Sequence, residues 1–239
     1  MDLDGKTALV TGGARRIGRA ICLALAGKGV RVAIHCRASE ADARDLADRC
    51  PGSVVLRADL ADPAERARLL PEAIERLGRI DFLVNNASVY EAAPLAEIDE
   101  AAFERALAVD LTAPFFLARD AGLRMRAAGF GSIVNLTDGG IDRPHPDRIP
   151  YFVAKAGLEA ATKGLARALA PEVRVNAVAP GPILLEEGAG EAAIAAVERA
   201  TPLGRLGGPE AVATAVLFLL GHDFMTGETI RVDGGRSLK

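Results

Sequence analysis

Short apolar runs of strand length alternate with longer helical patterns from one end of the chain to the other. The runs at 7–10, 30–36, 53–57, 81–84, 131–136, 174–178 and 229–232 read as strands. The segments 16–28, 40–49, 63–77, 100–108, 112–127, 151–170 and 209–220 read as helices. Asp62 before Pro63 reads as a helix N-cap. Alternation with short connections builds right-handed βαβ units and hence a parallel sheet. The expected class is α/β: a doubly wound sheet of seven parallel strands with helices on both faces, in one domain over residues 1–239.

Composition agrees with this. Half of the residues are hydrophobic but only 4% are aromatic, so Ala, Leu, Val and Gly must build the core, as suits a sheet covered by helices. The net charge of −3 gives no reason to expect nucleic acid as a partner. Cys22, Cys36 and Cys50 form no C-x-x-C pair and read as reduced, buried thiols of a cytoplasmic protein. No metal is expected. The start of the chain is too polar for a signal peptide, and the longest apolar run, 211–220, is short of the ~20 residues that span a bilayer.

Between the first strand and its helix lies Thr11-Gly12-Gly13-Ala14-Arg15-Arg16-Ile17-Gly18. Glycines at this place permit a tight turn and let backbone N–H groups approach a pyrophosphate at the helix N-terminus. The fold expectation is thereby a Rossmann-type, dinucleotide-binding one. The second strand ends Ile34-His35-Cys36-Arg37, with no acid before Glu40 to hold a ribose 2′-hydroxyl. NADPH is therefore expected over NADH. Arg37, helped by Arg15 or Arg16, could pair with the 2′-phosphate; the alternative is that Arg37 is a solvated loop charge.

Further along, Tyr151 and Lys155 stand at helical i,i+4 spacing and share a face. An ammonium one turn from a phenol can lower its pKa and make it a proton donor near neutral pH. Asp138 lies thirteen positions before Tyr151. A carboxylate only accepts hydrogen bonds, so it suits a substrate with N–H donors, or positive charge developing at a reducing C=N bond. The alternative is that Asp138 is a solvent-facing loop residue and Thr137 supplies a hydroxyl.

The glycine turn, Asn85-Asn86-Ala87 and the Tyr151/Lys155 pair together make the chain resemble the short-chain dehydrogenase/reductase family over nearly its whole length. Asp138 where most of that family has serine, and Arg16 where it has glycine, resemble the pteridine reductase branch. The resemblance implies Asp138, Tyr151 and Lys155 as the catalytic set, with Lys155 also holding the nicotinamide ribose. It implies a cofactor site of Gly12, Arg15, Arg16, Ile17, Gly18, His35 and Arg37, then the adenine-edge pair Asp59 and Leu60, then Asn86 and Ala87. Tyr151, Lys155, Pro180, Gly181 and Ile183 would complete it. Asn86-Ala87-Ser88-Val89-Tyr90 resembles a pattern whose aromatic ring stacks a pterin on the nicotinamide. Substrate would then meet Arg16, Ser88, Tyr90, Asp138 and Tyr151. The tail 232–239 resembles that of bacterial dihydromonapterin reductases, and family tails often approach a neighbouring subunit's site. A homotetramer is the expectation.

The same resemblance marks a departure. Asp110 stands where the family usually has an asparagine that shapes a kink and a proton-relay water site, which puts the relay in doubt. The small, acidic, alanine-rich stretch 186–200 reads as a surface helix or as a lid over substrate. His145, in the loop before Tyr151, reads as solvated or as touching substrate. The leading expectation is NADPH-dependent reduction of a dihydropterin or dihydrofolate-like ring. The rivals are a 3-oxoacyl-carrier-protein reductase or other carbonyl reductase, and a non-catalytic NADPH-binding sensor.

Overall fold

The computed structural model describes residues 2–185 and 188–238. Seven strands form one sheet: β1 (Thr7–Val10), β2 (Arg31–Cys36), β3 (Val54–Arg57), β4 (Phe82–Asn85), β5 (Gly131–Leu136), β6 (Val173–Pro180) and β7 (Thr229–Val232). Their order is β3-β2-β1-β4-β5-β6-β7, and every neighbouring pair is parallel. The helices are α1 (Arg16–Ala26), α2 (Glu40–Asp48), α3 (Pro63–Leu77), α4 (Glu100–Leu107), α5 (Ala113–Ala127), α6 (Ile149–Leu169), α7 (Glu191–Ala200) and α8 (Pro209–Gly221). Strands and helices lie where the alternation places them, with ends shifted by one or two residues.

Period-two alternation sorts the strand residues between two cores. Ala8 and Val10 of β1 face a core packed by α1, α2 and α8; Leu9 faces a second core packed by α3, α5 and α6. Asp62 caps α3 as expected, its side chain accepting from Ala64 and Glu65 N–H. Strand order reverses direction between β1 and β4, so the crevice outside their carboxyl ends is where such sheets bind ligands.

One joint differs from expectation. The helices expected at 100–108 and 112–127 are not separate elements: a π-helical turn, Ala108–Thr112, joins α4 directly to α5. Pro114 explains it. A proline ring clashes with the carbonyl four residues back, here Asp110, so the helix must widen. The widened turn points Asp110 inward, fully buried.

Candidate active site

The glycine turn is held from three sides. Gly12 is left-handed (φ +61°), and a Cβ there would lie 2.9 Å from Ala87 Cα. A Cβ on Gly18 would lie 2.1 Å from the Gly12 carbonyl oxygen, so no side chain fits. Asn86 Nδ2 donates to the carbonyls of Thr11 (2.9 Å) and Gly12 (3.0 Å), and Thr11 Oγ1 accepts from the N–H groups of Asn86 and Ala87. His35 completes the brace. Its Nδ1 accepts from Gly12 N–H (3.1 Å), which leaves Nε2 to donate to the Ala58 carbonyl (3.0 Å). Burial lowers the pKa of this imidazole and keeps it neutral. His35, Asn86 and Ala87 thus support the turn.

Arg16 occupies the left-handed region at φ +51°, alone among the described non-glycine residues. The conformation costs a side chain about 1–2 kcal/mol, a cost that glycine would not carry. Its guanidinium crosses the crevice to the Leu185 carbonyl (3.2 Å). Arg15, at the α1 N-cap, makes no side-chain capping bond and instead pairs with Asp42 (2.6 Å). The first N–H groups of α1 are therefore left for an anion, and together with the closed glycine cradle they fit a pyrophosphate. Arg37 is exposed at the end of β2, and Arg57 Nε donates to its carbonyl (3.1 Å). Asp59 forms a local turn, Oδ1 accepting from Ala61 N–H, and Leu60 is buried in the core below it.

A cleft of about 1100 Å³ opens beside the turn. Its walls bring together Arg16, Ile17, Asn86, Ser88, Tyr90 and Asp138. Tyr151, Lys155, Pro180, Gly181 and Ile183 line it as well. These residues come from the start of α1, from the segments at and after the ends of β4, β5 and β6, and from α6. Val197 and Ala200 of α7 also line it; Glu186 and Glu187, in the stretch read as a surface helix or a lid, lie outside the described residues. The tail contributes Asp233, Arg236 and Ser237 to the cleft of its own chain.

At the centre, the Tyr151 hydroxyl donates to Asp138 Oδ2 (2.7 Å), and Gly140 N–H donates to Oδ1 (2.6 Å). Asp138 is partly buried and directed at the phenol, not at solvent. Thr137 Oγ1 donates to the Val178 carbonyl instead and is buried. Burial raises the Asp138 pKa, against the opposing pull of the Gly140 and Tyr151 donors. Lys155 is buried; its Nζ donates to the Leu136 carbonyl (2.8 Å) and lies 3.1 Å from Asp110 Oδ1. That approach is close but poorly angled for a hydrogen bond. Asp110 Oδ2 accepts from Val89 N–H (3.1 Å).

The phenol does not behave as the Tyr-x-x-x-Lys spacing suggests. Burial first, then the Asp138 charge and hydrogen bond, hold Tyr151 well above the ordinary phenol range. The ammonium of Lys155 is 5.5 Å from the ring centroid and has Asp110 beside it, so the expected lowering is absent. Sequence reasoning missed Arg148, which lies 3.7 Å over the Tyr90 ring and donates to the Tyr90 carbonyl. Tyr90 itself meets Tyr151 edge-to-face at 4.6 Å. No local pattern ties Arg148 to Tyr90; the contact spans 58 positions. His145 lines the cleft while its Nδ1 accepts from Asp147 N–H.

Comparison with known proteins agrees with this geometry. The family description "enoyl-(acyl carrier protein) reductase" matches residues 12–237. The chain belongs to the short-chain dehydrogenase/reductase family. It is 37% identical to the ketoacyl reductase 2 ascribed to the granaticin polyketide synthase of Streptomyces violaceoruber, covering 98% of this chain and 97% of that one. It is 38% identical to cis-4-hydroxycyclohexanecarboxylate dehydrogenase of Sinomonas cyclohexanicum, over 96% of each. Among solved structures it resembles FolM alternative dihydrofolate reductase 1 from Brucella canis in complex with NADP. That match has TM-score 0.93 and 35% identity and covers all of this chain and 96% of the other. The chain is thus an oxidoreductase of the NAD(P)-dependent kind, and the seven-stranded architecture is the one its relatives share.

Proposed function

We propose that the protein reduces a pterin, a dihydropterin or dihydrofolate-like ring, at the expense of NADPH. The observation that carries this reading is the Asp138–Tyr151 pair. Where a ketone reductase needs a hydrogen-bond donor beside its phenol, this chain presents a carboxyl group that accepts from the phenol. Such a group suits ring N–H donors and the cationic character that a C=N group gains as its nitrogen takes up a proton. The resemblance to a NADP-bound dihydrofolate reductase structure supports the same reading. NADPH, when bound, would supply a hydride to the ring carbon. Tyr151 gives the proton to the adjacent nitrogen, so that C=N becomes CH–NH, and the phenolate is reprotonated from solvent. Asp138 releases the phenol as it takes ring N–H groups in its place. Tyr90, backed by Arg148, offers a flat face at the mouth, and Ser88 a hydrogen bond. Gly12, Gly18 and the α1 N-terminus would hold the pyrophosphate, and Arg37 the 2′-phosphate.

The ketoacyl reductase relative keeps carbonyl reduction as the second reading. A panel of dihydrobiopterin, dihydromonapterin, dihydrofolate and an acetoacetyl thioester, followed by NADPH oxidation, separates the two. With a pterin, Asp138→Ser should lose roughly tenfold to a hundredfold in kcat/KM, the value of one charged hydrogen bond. The same change should leave thioester reduction unharmed or improved. Parent protein that reduces the thioester and ignores every pterin would end the pterin reading.

A further inference from the structure

Asp110 is a buried charge beside the reacting groups to which this chemistry gives no role. It is fully buried, its Oδ1 stands 3.1 Å from Lys155 Nζ, and its Oδ2 accepts from Val89 N–H in the loop that carries Ser88 and Tyr90. Lys155 has the Leu136 carbonyl as its other partner. We propose that Asp110 is a positioning residue that offsets the charge of Lys155 and so keeps Tyr151 a protonated donor. The phenol is the form that gives its proton during reduction.

Asp138 faces Tyr151 from the loop after β5, Asp110 from the π turn and Lys155 from its own helix. Tyr90 packs on it from the loop after β4, with Arg148 over that ring. Two carboxylates thus stand against one ammonium. A buried ammonium beside a phenol would by itself favour ionisation; a carboxylate 3.1 Å from that ammonium cancels most of the effect. Asparagine at 110 would keep an acceptor for Val89 N–H while removing the charge. The position therefore separates an electrostatic duty from a structural one.

The inference rests on Tyr151 as the proton carrier, and its test needs no substrate, so it can fail independently of the pterin reading. The chain has two tyrosines and no tryptophan, so Tyr90→Phe leaves Tyr151 as the single source of tyrosinate absorbance. In that background Tyr151 should ionise late, close to alkaline unfolding. Adding Asp110→Asn should lower its midpoint by at least about one pH unit, the usual effect of one close charge. Asp110→Ser should do the same. With any substrate that is turned over, the alkaline limb of kcat/KM should move down with it. Unchanged ionisation in either folded variant overturns the proposal. Loss of folding in both variants also overturns it, because Asp110 would then serve structure alone.

Discussion

At the scale of single residues, this site is built from side chains placed where a simpler one would be cheaper. Arg16 holds a left-handed backbone (φ +51°) so that its guanidinium can close over the cleft toward Leu185. Arg16→Gly should therefore be more stable than Arg16→Ala by about 1 kcal/mol, because alanine keeps the strain and loses the contact. Urea denaturation of the two variants checks this; equal midpoints would mean that the φ value carries no cost. Both should bind NADPH more weakly than the parent. Asp138 and Tyr151 show how far one residue's neighbours can override its spacing. Lys155 is one helical turn away, as the sequence requires, yet burial and two carboxylates decide the phenol's state.

At the scale of elements, the ends of β1, β2, β3 and β4 are locked together by two side chains, His35 and Asn86. His35 makes this joint sensitive to acid. Unfolded, its imidazole takes up a proton near pH 6.5; folded, burial lowers that value. Between the two values the unfolded chain binds more protons. The stability from His35 is thus complete above about pH 6.5 and is lost as pH falls through the window below it. His35→Gln, which can still accept from Gly12 and donate to Ala58, should flatten the fall in melting temperature across that window. The parent's slope persisting unchanged in the variant would assign the acid sensitivity to other groups. The π turn makes the same point about position: Pro114 forces the widening, and the widening delivers Asp110 to Lys155.

At the scale of the whole molecule, Leu123 of α5, Val153 of α6, Phe218 of α8 and Phe224 remain exposed on the outer surface. We propose that they serve contacts between copies in a homotetramer, the assembly expected from the sequence. Sedimentation velocity should give four times the 24.9 kDa chain mass, and Phe218→Lys with Phe224→Lys should reduce it; a concentration-independent monomer would refute the assembly. Among the described residues no helix is long and apolar enough to cross a membrane. Strand–helix order, the parallel sheet, the Asp62 cap and the glycine turn were legible in the sequence, because period, turn chemistry and capping are local. So was the meeting of Asp138, Tyr151 and Lys155, through their spacing and the family pattern. The state of the phenol, the Asp110–Lys155 pair, the bracing role of His35 and the cover of Arg148 over Tyr90 were not. Each depends on desolvation and on charges brought together from distant segments, and those quantities exist only once the chain has packed.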